Sequence, residues 1–540
     1  MSFPLLTVTA AVPAAGAIAT AAVPAARRTA AKWLALGFSL VTLVLAAAQL
    51  VRFDPDAKKS FQLTESHAWI ADFGVRYELG VDGIAVVLIA LTALLIPFII
   101  LAGWHDADPL ETGPDGRANR RWRPTQGFFA LILMVEAMVV LSFEATDVFV
   151  FYIFFEAMLI PMYFLIGGFG DRAGDRTEEE AAAQRSYAAV KFLLYNLAGG
   201  LIMLAAVIGL YAVTADQLGS GTFSLQEIVR ARADGRLDFA TTTERALFLG
   251  FFFAFAVKAP LWPLHTWLPN AMGEATAPVA VLITAVVDKV GTFAMLRFCL
   301  QLFPEASKWA TPVIVVLALV SILYGALLAV GQRDIKRLVA YASISHFGFI
   351  VLGIFVMTTQ GQGGATLYMV NHGISTAALM LVAGFLISRR GSRLIADYGG
   401  VQKVAPVLAG TFLVGGLATL SLPGLAPFVS EFLVLVGAFS RYPAAGVVAT
   451  AGIVLAALYV LVLYQRTMTG PVKEGVRGMT DLKARELVVV APLIALLLFL
   501  GVYPKPLTEI IDPAVGHTMS QVDKVDPKPA VPVNDVEAAK

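Results

Sequence analysis

Two lysines lie inside long apolar runs of this sequence, and their side chains suggest chemistry rather than packing. Lys258 and Lys289 occur in successive runs of the segment 251–297. A basic side chain at the centre of a bilayer costs about 3 kcal/mol on insertion scales. Lysine, unlike arginine, can release its proton when it is buried. Two buried lysines therefore indicate a site that handles protons.

The first of these lysines stands next to a predicted helix break. Pro260 and Pro263 follow Lys258 directly, and proline both removes a backbone donor and ends a helix. A break at membrane depth is tolerated only against protein or a wet cavity, and transporters build ion sites from broken helices. In the alternative interpretation, carboxylates cap Lys258 and Lys289, and the resulting pairs only hold helices together.

The composition excludes the soluble classes of protein. Of 540 residues, 58% are hydrophobic and 15% charged, and the mean hydropathy is +0.75, values that predict a polytopic membrane protein. Cys299 is the only cysteine, so this chain alone can build neither a disulfide framework nor an iron–sulfur cluster. The sequence has no P-loop and no dinucleotide fingerprint after a strand. We expect no redox or ATP chemistry in this chain, and no nucleic-acid partner.

Apolar runs recur along the chain and predict an all-α fold of about fourteen transmembrane helices. The first run lacks the basic region that precedes the apolar core of a signal peptide, so it is predicted to be a helix. Lys and Arg concentrate in alternate loops, including the arginines at 117, 120, 121 and 123, and this side is predicted to be cytoplasmic. An even number of helices then places both termini outside the cytoplasm. The runs cover residues 3–23, 33–51, 82–103, 126–144, 147–168, 187–213, 245–264, 276–300, 309–331, 337–358, 364–387, 404–440, 444–465 and 487–503.

Further ionisable residues fall inside these runs. At about 1.5 Å per helical residue, Glu156, Lys258 and Lys289 all lie near mid-depth, which predicts a row of titratable groups parallel to the membrane. Charges at this depth must be paired or hydrated, and we expect Glu156 and Lys258 to form an ion pair that adjusts the proton affinity of the lysine. Lys191 lies near the cytoplasmic edge and can also snorkel to it, which leaves both interpretations open. The other candidates for the row are Glu136, Asp288, His346, His372 and Glu431.

The two histidines of this set permit a second interpretation. Histidines at mid-depth on neighbouring helices can ligate a b-type haem. His346 and His372 stand among lysines and glutamates, which a haem pocket does not need. Neutral imidazoles in a hydrated row more naturally pass protons, and we predict that role for both.

A second break in the twelfth run suggests an internal repeat. The stretch LSLPGLAPFVSEF places Pro423 and Pro427 before Glu431, and its LAP resembles LWP at 261–263. Helices 9–13 are therefore predicted to repeat helices 4–8 with inverted topology, with broken helices 7 and 12, as in many transporters. The predicted units are helices 1–3 at 1–125, a first repeat at 126–300, a second repeat at 301–466, a C-terminal helix at 467–510 and a disordered polar tail at 511–540.

Six motifs surround the candidate residues: FYIFFEAMLIPMYFLIG at Glu156, FAVKAPLWPLHTWLPNA at Lys258, VVDKVGTFAMLRF at Lys289, DIKRLVAYASISHFGF at His346, NHGIS at His372 and PGLAPFVSEF at Glu431. With them, the sequence from about 126 to 465 resembles the antiporter-like membrane subunits of respiratory complex I, the proton-pumping NADH:quinone oxidoreductase. Glutamate at 431, where sister subunits usually carry lysine, favours subunit M (subunit 4 in mitochondrial naming). Met272 and Asp288 depart from the family pattern, which commonly has histidine and an apolar residue there.

The resemblance implies a role for each member of the row. In order, these roles are an input ion pair of Glu156 and Lys258, a central relay at Lys289, a hydrated axis through His346 and His372, and an output group at Glu431. The resemblance also implies that this chain holds no cofactor and that FMN, iron–sulfur clusters and quinone are bound by partner subunits.

The resemblance also implies partners and a location. The expected partners are other membrane subunits of the complex, including two sister antiporter-like subunits, and the lipid bilayer. The expected location is the bacterial inner membrane, which the chain would cross many times. Two other functions share the helix plan: a subunit of a multi-subunit cation/proton antiporter and a proton-pumping membrane-bound hydrogenase.

Overall fold

Helices form most of this chain, for which a computed structural model describes residues 3–57, 59–108, 124–170 and 176–528. Each of the fourteen predicted runs contains helix. Up to the first break, the helices are α1 Leu5–Ala21, α2 Arg28–Arg52, α3 Gly83–Ala102, α4 Thr125–Glu144, α5 Val148–Ala157, α6 Leu159–Phe169, α7 Glu178–Leu218, α8 Leu225–Ala233 and α9 Thr241–Lys258. Beyond it they are α10 Leu268–Glu274, α11 Ala277–Val281, α12 Asp288–Ala294, α13 Pro304–Val330, α14 Ile335–Phe355, α15 Thr359–Arg390, α16 Pro406–Thr419, α17 Ala426–Arg441, α18 Pro443–Met468, α19 Ala484–Val502 and α20 Lys505–Val522.

Eleven helical segments within the described ranges are long and apolar enough to cross a bilayer. The predicted helices outside this set are the first, the seventh and the twelfth. The first, α1, has 17 residues and contains Pro13. The seventh ends at Lys258, and the twelfth divides into α16 and α17. The fold is that of a polytopic, mainly helical membrane protein.

The interior of the molecule is formed by three parts of the chain, of which the first is separated from the other two by α13. The segment Ala277–Leu300 is completely buried, and α14 and α15 are almost completely buried. By contrast, α7, α13, α18 and α19 leave more than half of their apolar stretches uncovered, as expected for helices that face lipid. Lys289, His346 and His372 therefore lie on the most enclosed elements of the fold.

Aspartates fix the start of two helices that carry candidate residues. Asp147 accepts hydrogen bonds from the backbone N–H groups of Phe149 and Val150 at the start of α5. Asp334 accepts from the backbone N–H groups of the second and third residues of α14. Side-chain acceptors at this position satisfy donors that a helix start leaves free, so both helices begin at defined residues.

The eighth predicted helix is not a regular α-helix. Two π-helical stretches, Leu282–Val287 and Met295–Leu300, flank the short helix α12. Wider turns of this kind are rare and frequently mark functional sites. They rotate the following residues relative to a regular helix, and so they set the directions of Asp288 and Lys289.

Two loops that the sequence analysis assigned to the outer side contain structure that it did not predict, so the fold is not strictly all-α. In the loop 52–81, strands β1 Gln62–Ile70 and β2 Val75–Val81 form an antiparallel hairpin. Gly74 adopts φ +63° where the chain turns back, a conformation that glycine adopts without strain. The loop 214–244 contains α8. Polar and apolar residues alternate in most of β2 but not in β1, so the sequence gives little periodic signal for a hairpin.

The predicted disordered tail at 511–540 is wrong in its first part. Helix α20 continues to Val522 and buries one face against α3 and α15. That face has helical spacing, because it consists of Ile511, Val515, Thr518, Met519 and Val522. Residues 529–540 lie outside the described residues, as do the loop arginines at 117, 120, 121 and 123.

Candidate functional site

The first cluster of candidate residues lies at the break after α9. Pro260 and Pro263 lack the N–H groups that would continue the helix, which ends at Lys258. The Lys258 side chain is completely buried. Its Nζ donates to the backbone carbonyl of Phe155 at 3.0 Å and lies 4.1 Å from the centroid of the Phe155 ring. Lys258 is thus held against the residue that precedes Glu156.

Glu156 lies on the last turn of α5 and faces α7. Its Oε1 is buried and accepts no hydrogen bond from the part of the chain that the structure describes. Gly200 of α7 makes room for the carboxylate, because a Cβ at position 200 would overlap it. Glu156 and Lys258 interact electrostatically, but the ammonium group donates to the Phe155 carbonyl. The structure therefore brings the two together without a hydrogen bond between their side chains.

The second cluster surrounds Lys289, which is also completely buried. Its Nζ donates to the backbone carbonyl of Thr284 at 3.1 Å and lies 2.7 Å from Nδ1 of His372. The ammonium group also lies 4.2 Å from the centroid of the Phe347 ring. Thr284 belongs to the π-helical stretch before α12, so the wider turn supplies the carbonyl that orients Lys289. The lysine and His372 can exchange a proton directly.

A chain of side chains continues from His372 across the second half of the fold. The rings of His372 and His346 lie with their centroids 5.4 Å apart. Nδ1 of His346 is 2.6 Å from the hydroxyl of Tyr368, and that hydroxyl is 3.2 Å from Oε2 of Glu431. The Ser421 hydroxyl also donates to Oε2 of Glu431. All five side chains are buried, so the cluster forms a nearly continuous path from Lys289 to Glu431.

Asp288 lies where the two clusters meet. Its side chain is fully buried, and neither carboxylate oxygen has a hydrogen-bond partner among the described residues. The carboxylate interacts electrostatically with both Lys289 and Lys258. One turn further along α12, Gly291 allows close contact with the end of α9, since a Cβ there would lie 2.9 Å from the backbone N of Ala259. Asp288 is therefore an acidic group near both lysines.

The two remaining candidates are not joined to this path by hydrogen bonds. Glu136 on α4 is completely buried, and neither of its oxygens has a partner in the described part of the chain. Lys191 on α7 donates to Oδ1 of Asn270 at 3.1 Å and lies 5.8 Å from the centroid of the Tyr195 ring. Lys191 thus contacts the segment that follows the break rather than the central row.

The geometry of the two histidines does not fit haem ligation. Nδ1 of His372 faces Lys289, and its Nε2 lies 3.2 Å from the Thr376 hydroxyl. Nδ1 of His346 faces Tyr368, and its Nε2 lies 3.5 Å from the Tyr459 hydroxyl. All four ring nitrogens therefore face protein side chains, and none points to a space where iron would bind. Such contacts suit proton transfer.

Sequence reasoning missed several polar residues of the site. Tyr368 lies one turn before His372 on α15, and that helical spacing was a usable signal. Ser421 lies in the second break and Tyr459 on α18, and no local pattern marks either of them. Glu144, at the end of α4, is a buried carboxylate whose Oε1 accepts from Gln49 at 2.8 Å. It was overlooked because it stands at the end of an apolar run.

The fold and the site define a polytopic helical membrane protein with a buried row of lysine, histidine and carboxylate side chains. The family described as "NADH:quinone oxidoreductase/Mrp antiporter, TM" matches residues 145–456. NADH-quinone oxidoreductase subunit M of Mycobacterium tuberculosis is 57% identical over 99% of this chain and 98% of its own length. NADH-ubiquinone oxidoreductase chain 4 of Arabidopsis thaliana is 33% identical over 94% of this chain and 95% of its own length.

Solved structures show the same architecture. A chain in the structure of respiratory complex I from Thermus thermophilus with bound NADH matches with a TM-score of 0.81 at 29% identity, covering 96% of this chain and all of that one. A chain of the Mrp complex from Dietzia sp. DQ12-45-1b matches with a TM-score of 0.79 at 22% identity, covering 97% and all of the respective chains, a likeness of fold. The present chain belongs to the subunit M family of NADH-quinone oxidoreductase, the antiporter-like membrane subunits of complex I.

Proposed function

We propose that this chain is a proton-translocating membrane subunit of NADH:quinone oxidoreductase. Protons move along the buried row while electrons pass through FMN, iron–sulfur clusters and quinone in partner subunits. The observation that carries this proposal is the path from Lys289 through His372, His346 and Tyr368 to Glu431, which is buried throughout. Titratable groups in hydrogen-bond contact inside a membrane are expensive to keep and typical of proton relays.

Each titratable residue of the row has a distinct part in this proposal. Glu156 and Lys258 take up the proton, and the strength of their interaction sets when Lys258 releases it. Lys289 receives the proton and passes it to His372, which is 2.7 Å away. Glu431 releases it on the outer side. Asp288 adjusts the transfer between the two lysines, and Glu136 and Lys191 act on the approach to the row.

The proposed topology has fourteen membrane crossings, both termini outside the cytoplasm, and inverted repeats at 126–300 and 301–466. A cavity of about 590 Å³ supports the alternation of the helices, because the ends of five predicted helices line it together. These ends are Ala102, Thr276, Lys336, Arg389 and Lys483, and the alternation of loops assigns all five to the cytoplasmic side. The broken elements α9 and α16–α17 support the repeat, since each break adjoins a row residue.

The same row could serve a multi-subunit cation/proton antiporter or a membrane-bound hydrogenase, and purification distinguishes these functions. The chain is purified from its native membrane through a tag on α20 and reconstituted into vesicles. We expect two sister antiporter-like subunits and the flavin and iron–sulfur subunits to co-purify with it. We also expect NADH to drive proton uptake into the vesicles. Recovery with antiporter subunits alone, or proton movement driven by sodium rather than NADH, would contradict the proposal.

A further inference from the structure

Tyr368 is a buried hydroxyl that touches two titratable groups on different helices. It lies on α15, its exposure is 0%, and its hydroxyl is 2.6 Å from Nδ1 of His346 and 3.2 Å from Oε2 of Glu431. His346 belongs to α14 and Glu431 to α17. In the described part of the chain, no hydrogen bond joins His346 to Glu431 directly. Among the described residues, the phenol of Tyr368 is the group hydrogen-bonded to both His346 and Glu431.

We propose that the hydroxyl of Tyr368 transfers the proton between His346 and Glu431. The inference rests on the proposed function and adds a residue that neither the motifs nor the charged row identifies. A phenol both donates and accepts a hydrogen bond, so it can pass a proton without holding a charge for long. A buried hydroxyl that served only packing would not need two titratable partners, because a single neutral acceptor would satisfy it.

The hydrogen-bond directions follow from the single hydrogen of the phenol. When Glu431 is ionised, Tyr368 donates to its Oε2, and the Tyr368 oxygen must then accept the Nδ1–H of His346. Nε2 of neutral His346 is left as an acceptor, and the Tyr459 hydroxyl lies 3.5 Å from it. These contacts align three groups in the order that transfer requires.

The transfer step is balanced in protons and charge. It starts from imidazolium at His346, neutral Tyr368 and carboxylate at Glu431. The Nδ1–H bond of His346 breaks as an O–H bond forms on the phenol, while the original phenol O–H bond breaks and a new one forms on Oε2. The products are neutral His346, neutral Tyr368 and protonated Glu431. Rotation of the hydroxyl then resets the tyrosine.

Ser421 makes it possible to distinguish a proton-transfer role of Tyr368 from a role in positioning Glu431. Its hydroxyl donates to the same Oε2 of Glu431, so it can hold the carboxylate in place when Tyr368 is changed. Ser421 has no contact with His346 among the described hydrogen bonds and cannot complete the path. A positioning role for Tyr368 would therefore be shared with Ser421, whereas a transfer role would not.

The test uses the assembled complex with Tyr368→Phe, Ser421→Ala and, as a matched control, Tyr341→Phe on α14. Removal of a positioned proton-transfer group costs about 10²-fold or more, and we expect a loss of that size in NADH-driven proton pumping for Tyr368→Phe. Tyr341→Phe should pump as the parent does, and Ser421→Ala should lose less than Tyr368→Phe. The solvent deuterium isotope effect on pumping should increase in Tyr368→Phe, which a purely structural defect would not cause.

Two outcomes would overturn the inference. Parent-level pumping in Tyr368→Phe, with pumping strongly reduced in Glu431→Gln, would remove Tyr368 from the path while leaving the proposed function intact. If Tyr368→Phe fails to assemble, a ring-fluorinated tyrosine at position 368 keeps the size of the residue and makes the phenol more acidic. An unchanged pumping rate with that residue would also contradict the transfer role.

Discussion

The two clusters of the row are built differently. In the first cluster, the Lys258 ammonium group contacts a backbone carbonyl and an aromatic ring, and it makes no hydrogen bond with the Glu156 carboxylate. From Lys289 to Glu431, successive polar side chains contact one another. Proton transfer needs groups within hydrogen-bond reach, directly or through one water. The second cluster satisfies this requirement at each step except between His372 and His346, whose rings lie 5.4 Å apart without a hydrogen bond. The first cluster requires movement or a bridging water.

This difference suggests where the row is controlled. Lys258 ends a helix beside a proline break, and Glu156 fits against a glycine, so small movements of α5, α7 or α9 change their separation. Most of the second cluster lies on the almost completely buried helices α14 and α15 and on the buried segment Ala277–Leu300. We infer that the first cluster controls proton entry into the row and that the second cluster conducts the proton.

Among the charged residues of the row, the largest effect is expected at Lys289, where the second cluster begins. Lys289→Arg keeps a positive charge, but a guanidinium does not release its proton in proteins. We expect proton pumping and coupled NADH:quinone activity to fall by about 10²-fold, the typical contribution of a proton-transfer group. Lys308→Arg is the control, since Lys308 pairs with Glu305 near the surface. Normal turnover in Lys289→Arg would mean that the central lysine is structural.

Glu431 tests the far end of the second cluster. Glu431→Gln removes the proton-accepting group, and we expect a loss of about 10²-fold at most. Glu431→Lys should retain more activity, because an amine can still exchange protons with a hydrated exit whereas an amide cannot. Pumping by both variants is measured in vesicles after assembly is checked, with Glu305→Gln as control. If the Gln variant pumps normally, the exit lies elsewhere.

Mutations in the first cluster should reduce pumping less than mutations in the second, because water can replace part of the contacts of Glu156 and Lys258. We expect Glu156→Gln and Lys258→Ala each to reduce pumping by at least about tenfold, which is below the usual contribution of about 10²-fold or more from a proton-transfer group, while assembly is largely retained. Glu156→Gln also preserves the size of the side chain. Glu509→Gln on the exposed face of α20 is the control. An unchanged rate and proton-to-electron ratio in both variants would refute a role for the cluster in proton uptake.

The sequence predicted the charged members of the row better than the polar residues between them. A lysine in an apolar run is visible because its insertion is costly, and prolines mark the breaks. Tyr368 and Ser421 carry no such signal, because a tyrosine or serine is common in a membrane helix. Their roles follow from the packing of α14, α15 and the second break, which depends on contacts distant in sequence.

The same distinction holds for the fold. All fourteen apolar runs contain helix, since length and hydropathy determine this feature locally. The π-helical stretches around α12 and the packed face of α20 depend on tertiary contacts, and they were not predicted. The hairpin β1–β2 was missed because two short strands in a polar loop give little periodic signal.

Asp288 tests how the two clusters are connected, because it lies between them and departs from the family pattern. Its carboxylate interacts electrostatically with Lys258 and Lys289 and has no hydrogen-bond partner among the described residues. A negative charge there lowers the cost of having both lysines protonated at once. Asp288→Asn should therefore slow the transfer between the lysines without interrupting either cluster.

We expect the smallest of these losses for Asp288→Asn, about tenfold or less, since a change of one pKa unit alters protonation by that factor. Asp288→Glu retains the charge and should recover most of the activity, and Asp234→Asn, at an exposed position, should have no effect. Pumping is measured with the Lys258→Ala variant in parallel. If Asp288→Asn pumped like the parent while Lys258→Ala was impaired, protons would pass between the two lysines through water or side-chain movement alone. Transfer from the first cluster to the second would then need no acidic group.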